Sequence, residues 1–541
     1  MSRSLYDKLH RRFGKSLSDS EISARSQKLI DAELSISSAL SLLPECRLRL
    51  KKTRVAVVGA GFAGMMAAWW LCQIEKGIEV VVFEAGPEVG GRVRSAENFT
   101  KGRIIEFGAE LVGANHPVWL GLAKELGVGL MTRTSDAHFA MMGLEMKLRI
   151  DGKDIIETEA KKLQKDMEEI FKEIGKEARQ ITSATEPWLY PANQKLDGMS
   201  VAAKLLNPPP DGLGLQKDKL PFKGIALLLE NNLVTPLDKI NYLALLCLVN
   251  AGRFGNDTDN TDPDLLGFWI QTEVFRCVDG CQTLVRKMAA KLADATEKYK
   301  FKLVTSTRVK EINIDPSKVR PVALKWERSA AAASVDPNFD YIILATAPSV
   351  WDGIKITPDH PKTHLPVQMG PAVKFFSNLK DRFWIGESAA PSGASSDIGM
   401  IWEGTDNQTQ IGEQEIELSV FSGGLAKTGR LLTEGEFKNG LRKLYPGYDH
   451  SNRFRFTKLV NWAEKEEFIK TGYSCPQVGH IFTVAPQLQK PLNNGRLFLA
   501  GEYTETDFFG FMEGALRSGR RAANAVIAKV CPGVLANFPN A

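Results

Sequence analysis

Short unbroken apolar runs at residues 55–58 and 80–83 predict buried strands, and the apolar stretch between them, roughly 63–73, predicts a helix. Further strands are predicted at 304–312, at 340–348 with its Ala-Pro turn, and at 496–500, the last followed by a helix opening near 510 and reaching about 530. Between 116 and 276 the period lengthens to that of helices: Leu163, Met167, Ile170, Phe171, Ile174 and Ala178 share one face, with charge on the other. Pro208, Pro209 and Pro210 break that segment. Strand-like runs return between 350 and 489, at 373–376 and 416–421, and predict a second sheet. Near the start, Ile22, Leu29, Ile30, Leu34 and Leu40 line one side of a predicted helix of about twenty residues, with Ser18 and Glu21 as a capping box and Pro44 as its stop.

Chemistry enters at the first strand. Residues 55–64 read Val-Ala-Val-Val-Gly-Ala-Gly-Phe-Ala-Gly, and the second apolar run ends in Glu84, twenty residues after Gly64. Gly59 permits the tight turn, Gly61 lets the backbone approach a pyrophosphate, and Gly64 lets the following helix lie close on the sheet. The phosphates then sit at the positive end of that helix. Glu84 can accept from an adenosine ribose and would repel a 2′-phosphate, so FAD or NAD is expected rather than NADP.

Past Glu84 the chain continues Ala85-Gly86-Pro87-Glu88-Val89-Gly90-Gly91-Arg92-Val93-Arg94. Near its other end stand Gly501-Glu502-Tyr503-Thr504 and Gly510-Phe511-Met512-Glu513-Gly514-Ala515. Together these resemble the flavin amine oxidase superfamily, in order, from about residue 51 to 528. The resemblance implies non-covalent FAD. It places Gly59, Gly61, Ala63, Gly64, Glu84 and Ala85 on the adenosine and phosphate side, and Val309 beside the adenine. Gly91 and Arg92 fall at the phosphate and ribityl region. Gly108, Ala109 and Glu110 would approach the flavin, with Gly501, Glu502, Phe511, Met512 and Ala515 closing the site from the C-terminus. A helix start in that position would stabilise the negative charge of reduced flavin.

The implied architecture is an α/β fold in which a discontinuous Rossmann-like FAD-binding domain (51–115, 277–349 and 490–541) interleaves with a mainly helical part (116–276) and an α+β substrate-binding domain (350–489). Residues 1–50 form an N-terminal helical extension, which would pack on its own chain or dock on a partner in a homo-oligomer.

The implied reaction is hydride transfer from an uncharged amine to flavin, followed by hydrolysis of the imine and reoxidation by molecular oxygen. By resemblance, Lys374 in the strand 373–376 stands nearest the reacting flavin nitrogen and assists the reaction with oxygen. Tyr473 and Phe511, the latter after Gly510, would wall the substrate, with Trp462 close by. Gly472 stands where a monoamine oxidase carries the cysteine that bonds its flavin.

The substrate is less plainly marked. The run Gly108-Ala109-Glu110-Leu111-Val112-Gly113-Ala114-Asn115-His116-Pro117 is similar to a group of microbial L-amino acid oxidases, yet Leu111 replaces the arginine that many such enzymes use to clamp a carboxylate. Gly113 stands where polyamine oxidases carry an acid. Arg253 and Arg276 are alternative clamps. Glu110, Glu403 and Asp406 are candidates for a cationic group, and His116 for a place near the flavin. The expected activity is oxidative deamination of L-α-amino acids to 2-oxo acids with release of ammonia and hydrogen peroxide. The alternative is a monoamine oxidase acting on amines without a carboxylate.

Composition narrows the remaining classes. The 541 residues are 43% hydrophobic with a net charge of +5, enough for two or more domains and too evenly charged for nucleic-acid binding. No run of eighteen apolar residues and no apolar leader stands out, so a cytoplasmic protein without membrane association is expected. Seven scattered cysteines predict reduced thiols, and Cys277 and Cys281 lack a second pair at zinc spacing, so no metal is expected.

Overall fold

The computed structural model describes residues 4–14, 19–37, 44–74, 77–134, 136–253, 265–294, 300–327, 333–408, 415–423, 430–449 and 454–532. Its first sheet grows from the two apolar runs. Arg54–Val58 pairs in parallel with Glu79–Phe83 on one side and Tyr341–Leu344 on the other, and Lys300–Val304 and Leu497–Leu499 complete five strands. Val55, Val57, Val80 and Val82 are fully buried, as a parallel sheet covered on both faces requires.

Two helices cover one of those faces. The helix Phe62–Ile74 leaves the glycine turn, and the last helix, Met512–Val530, packs along it. Gly519 permits that crossing, because a Cβ there would overlap the Ala63 carbonyl oxygen. The Trp70 indole donates to Asn524 Oδ1 at 2.7 Å and fixes the register.

The predicted strand at 304–312 is two strands. Lys300–Val304 ends in the parallel sheet, and Val309–Ile314 begins a separate four-stranded sheet. Between them the backbone turns outward at Ser306, with φ of 49°, to bond the loop that follows Glu79–Phe83: Ser306 N–H donates to Gly86 O and Thr307 N–H to Glu84 O, both at 2.8 Å.

The second large sheet has seven strands, in the order Phe454–Asn461, Val373–Leu379, Ile416–Ser422, Gly399–Glu403, Ala389–Ser395, Glu145–Ile150 and Lys153–Asp154. Every residue of Val373–Leu379 is buried, so this strand forms the sheet's spine. Two of the seven come from the segment read as helical. The helix Glu157–Ala178 buries the six apolar residues of its predicted face. A three-stranded sheet of Leu111–Val112, Phe275–Cys277 and Leu130–Thr132 joins this region to the first.

The N-terminal extension holds more than the predicted helix. That helix spans Asp19–Ser37, while Ser18 and Leu40 lie outside the described residues. Pro44, read as a stop, instead opens the short helix Pro44–Lys51, where its missing N–H costs nothing. A further helix, Leu5–Phe13, is buried despite its charges. Lys8 Nζ donates to Ser392 Oγ at 2.8 Å and Ile401 O at 2.9 Å, and Asp7 pairs with Arg11 at 2.7 Å and with Arg133. Internal pairing makes a polar segment buriable. The seven cysteines are buried free thiols. Among the described residues no helix is long and apolar enough to cross a membrane.

Candidate cofactor and substrate site

A cavity of about 1020 Å³ runs from the glycine turn at the end of Arg54–Val58 to the buried strand Val373–Leu379. At its first end Gly59 has φ of +103°, and a Cβ there would stand 2.9 Å from Ala345 O. A Cβ on Gly64 would overlap the Gly59 carbonyl oxygen, so this glycine lies beneath the turn and serves helix packing. Gly61 is different. Its Cβ would meet no heavy atom closer than Gly90 O at 3.8 Å, so nothing in the protein requires glycine there. Its wall is open to the cavity, and Thr346 Oγ1 on the cavity lining is buried without a hydrogen-bond partner.

Glu84 faces the cavity from the end of Glu79–Phe83, its oxygens accepting from Ala60 N at 2.8 Å and Gly86 N at 2.7 Å. Burial raises its pKa from the ordinary carboxylate range, and the backbone donors act against that rise. Gly90 and Gly91, with φ of 129° and 60°, let the second loop fold against the first, where Gly61 and Gly90 form a parallel bridge. Arg92 reaches from that loop to the C-terminal part of the chain, bonding Glu502 Oε1 at 2.6 Å and Gly472 O at 3.0 Å. Ala63, Ala85, Gly108, Ala109, Val309, Gly501, Met512 and Ala515 also line the cavity.

The far end is aromatic. Tyr473, Phe511, Trp462 and Phe421 line it with Ala372 and Gly510. The Tyr473 hydroxyl donates to Asn232 O at 2.8 Å, and the Trp462 indole to Phe107 O at 3.0 Å. A Cβ on Gly510 would sit 2.9 Å from the Tyr473 ring, so glycine there sets the tyrosine's position. Lys374 also lines the cavity; its ammonium donates to Glu106 O and Gly108 O, both at 2.9 Å, and to Glu110 Oε2 at 3.1 Å.

Several expected contacts are not brought here. Glu110 turns its carboxylate away from the cavity lining, toward Lys374, the Trp402 indole at 3.0 Å and Arg276 at 3.5 Å. Arg276 is buried on Asp406 at 2.5 Å and on the Gly404 carbonyl, so it does not present a clamp. Arg253 is half-buried at the edge of the described residues and outside the lining. Glu403 is held by Arg382 at 2.8 Å. His116 is buried beside the rings of Phe508 and Phe511, its Nδ1 accepting from Gly113 N at 2.9 Å. Leu111 is buried in its strand opposite Arg276. Phe421 and Ala372 were missed as lining residues because strand alternation marks a face without saying which face meets a cavity.

The sequence profile of the flavin containing amine oxidoreductases matches residues 62–527. The chain belongs to this family. It is a flavin-dependent amine oxidoreductase, and FAD is the cofactor that the family implies and the open glycine wall fits. It is 24% identical over 511 residues to the flavin-containing amine oxidase of Oncorhynchus mykiss, covering 87% of this chain and 85% of that one. Over 84 residues, 16% of each chain, it is 37% identical to the L-amino-acid oxidase of Siganus canaliculatus. In fold it is similar to a putrescine oxidase solved with putrescine bound, with a TM-score of 0.67 at 20% identity, over 88% of this chain and 99% of that one.

Proposed function

We propose that the chain oxidatively deaminates a small apolar primary amine without a carboxylate, converting amine, oxygen and water to a carbonyl compound, ammonia and hydrogen peroxide. One observation supports this most: among the described residues, the aromatic end of the cavity is lined by Tyr473, Phe511, Trp462 and Phe421 beside a paired Lys374, while Arg276 is committed to Asp406.

Gly59, Gly61 and Gly91 would admit the pyrophosphate, Glu84 the adenosine ribose, Val309 the adenine, and Arg92 with Glu502 the ribityl region. Bound FAD supplies the hydride acceptor. The protein's own part is placement. Tyr473 and Phe511 hold the substrate's apolar body and exclude water, which favours the uncharged amine that oxidation requires. Lys374, paired with Glu110, holds a fixed ammonium at the same end.

A second reading, an L-amino acid oxidase, draws on the local similarity to the Siganus enzyme and on the run from Gly108 to Pro117. It needs a carboxylate clamp other than Arg276, which is committed to Asp406. Anaerobic mixing of the purified holoprotein with a simple arylalkylamine tests the proposal: the flavin absorbance should bleach. Bleaching by the matched L-amino acid alone would replace the first reading with the second, and bleaching by neither would overturn both.

A further inference from the structure

Behind the aromatic end lies a buried chain of alternating charge. Lys374 pairs with Glu110 at 3.1 Å, Glu110 with Arg276 at 3.5 Å, and Arg276 with Asp406 at 2.5 Å. All four side chains are at most 4% exposed. Glu110 is the hinge of this chain. Its Oε2 accepts from Lys374, and its Oε1 from the Trp402 indole, so both oxygens are fixed in direction. Lys374 has three N–H groups, and all three are donated, to Glu106 O, Gly108 O and Glu110. The ammonium is therefore a fixed charge held against the 106–110 strap. It is not a swinging donor.

We propose that Glu110 is a positioning residue that sets the electrostatic field at the aromatic end of the cavity, by fixing Lys374 in place and cancelling its charge. This rests on the reading of the cavity as a flavin site. The two cations and two carboxylates sum to zero as built. Two further carboxyls face the cluster. Burial pushes Glu417 well above the ordinary carboxylate range and Glu106 up to about 7, so at mildly acidic pH both are mainly neutral beside the intact cluster. Removing the Glu110 charge leaves one uncompensated cation beside the site, and a positive charge favours the reduced flavin, which carries more negative charge.

The test is the reduction equilibrium of the holoprotein at pH 6, measured against a reference dye with no substrate present. Glu110→Gln keeps the shape and loses the charge. It should shift the ratio of reduced to oxidised flavin by about tenfold toward reduced at a fixed poise, equivalent to about 30 mV for a two-electron couple. Adding Lys374→Met to the same protein restores neutrality and should return the ratio to within about twofold of the parent. Lys374→Met alone leaves one carboxylate in excess, should shift the ratio toward oxidised, and carries the test if Glu110→Gln does not fold. A parental ratio in both Glu110→Gln and Lys374→Met, or a double variant that keeps the full shift of Glu110→Gln, overturns the proposal. The measurement needs no turnover, so it stands or falls separately from the identity of the substrate.

Discussion

Arg92 and Glu502 are 410 positions apart and meet at 2.6 Å across the cavity wall. The glutamate is nearly buried and is held in addition by Gly510 N at 2.7 Å and by the Ser474 hydroxyl, while the arginine also bonds Gly472 O. This pair ties the second glycine loop to the C-terminal part of the chain. A double-mutant cycle with Arg92→Met and Glu502→Gln, followed by urea unfolding of the apoprotein, should give a coupling energy of about 1–3 kcal/mol. Additive effects would mean the two ends of the site are not joined by this contact.

Gly61 and Gly64 should respond differently to the same added methyl. Gly61→Ala has room in the protein, so the apoprotein should melt within about 2 °C of the parent while the purified protein loses much of its flavin absorbance. Gly64→Ala drives its Cβ into the Gly59 carbonyl and should cost stability by about 1–3 kcal/mol or more. Equal flavin content in Gly61→Ala and the parent would separate that glycine from cofactor binding.

The parts of this molecule legible in the sequence are those built by local contacts. The turn from Gly59 to Gly64, Glu84 and the strand Val373–Leu379 each announce themselves within a few residues. The break after Val304 did not, because the turn at Ser306 is made by hydrogen bonds to Gly86 and Thr307 to Glu84, more than two hundred positions earlier. The helix Leu5–Phe13 was hidden by charges whose partners, Arg133, Ser392 and Ile401, lie far along the chain. Glu110 and Arg276 read as cavity residues by type, and only their pairing with Lys374, Trp402 and Asp406 places them behind it. Spacing along a chain carries no information about such long-range partners.

Arg276→Met should act as a core lesion. Taking the guanidinium away from buried Asp406 and Glu110 is expected to cost about 3–5 kcal/mol in urea unfolding. In whatever folded enzyme survives, KM should change by less than about twofold for an amine without a carboxylate. A large rise in KM confined to carboxylate-bearing substrates would return Arg276 to the substrate site.

Stability between pH 5 and 7 is set by opposing buried groups. Burial lowers His116 to about 3 and His480 to about 4, so the stability from keeping them neutral is present above their unfolded value near 6.5 and is lost as pH falls through that range. Glu106 is raised to about 7, so its contribution is full below about 4.5 and is lost as pH rises through 7. Glu106→Gln removes one of the terms that improve on acidification. The loss of unfolding free energy from pH 7 to pH 5 should therefore be steeper than in the parent, by roughly 2 kcal/mol. An unchanged slope would mean Glu106 titrates as an ordinary carboxylate.

Peroxide release by the purified yellow protein, measured on matched pairs of an L-amino acid and the amine left by its decarboxylation, tests the account most directly. Peroxide is expected from the apolar and aromatic amines, with the matched amino acids at least tenfold slower in kcat/KM. Turnover of the L-amino acids with the amines inert would contradict it, and would place a carboxylate clamp in the cavity.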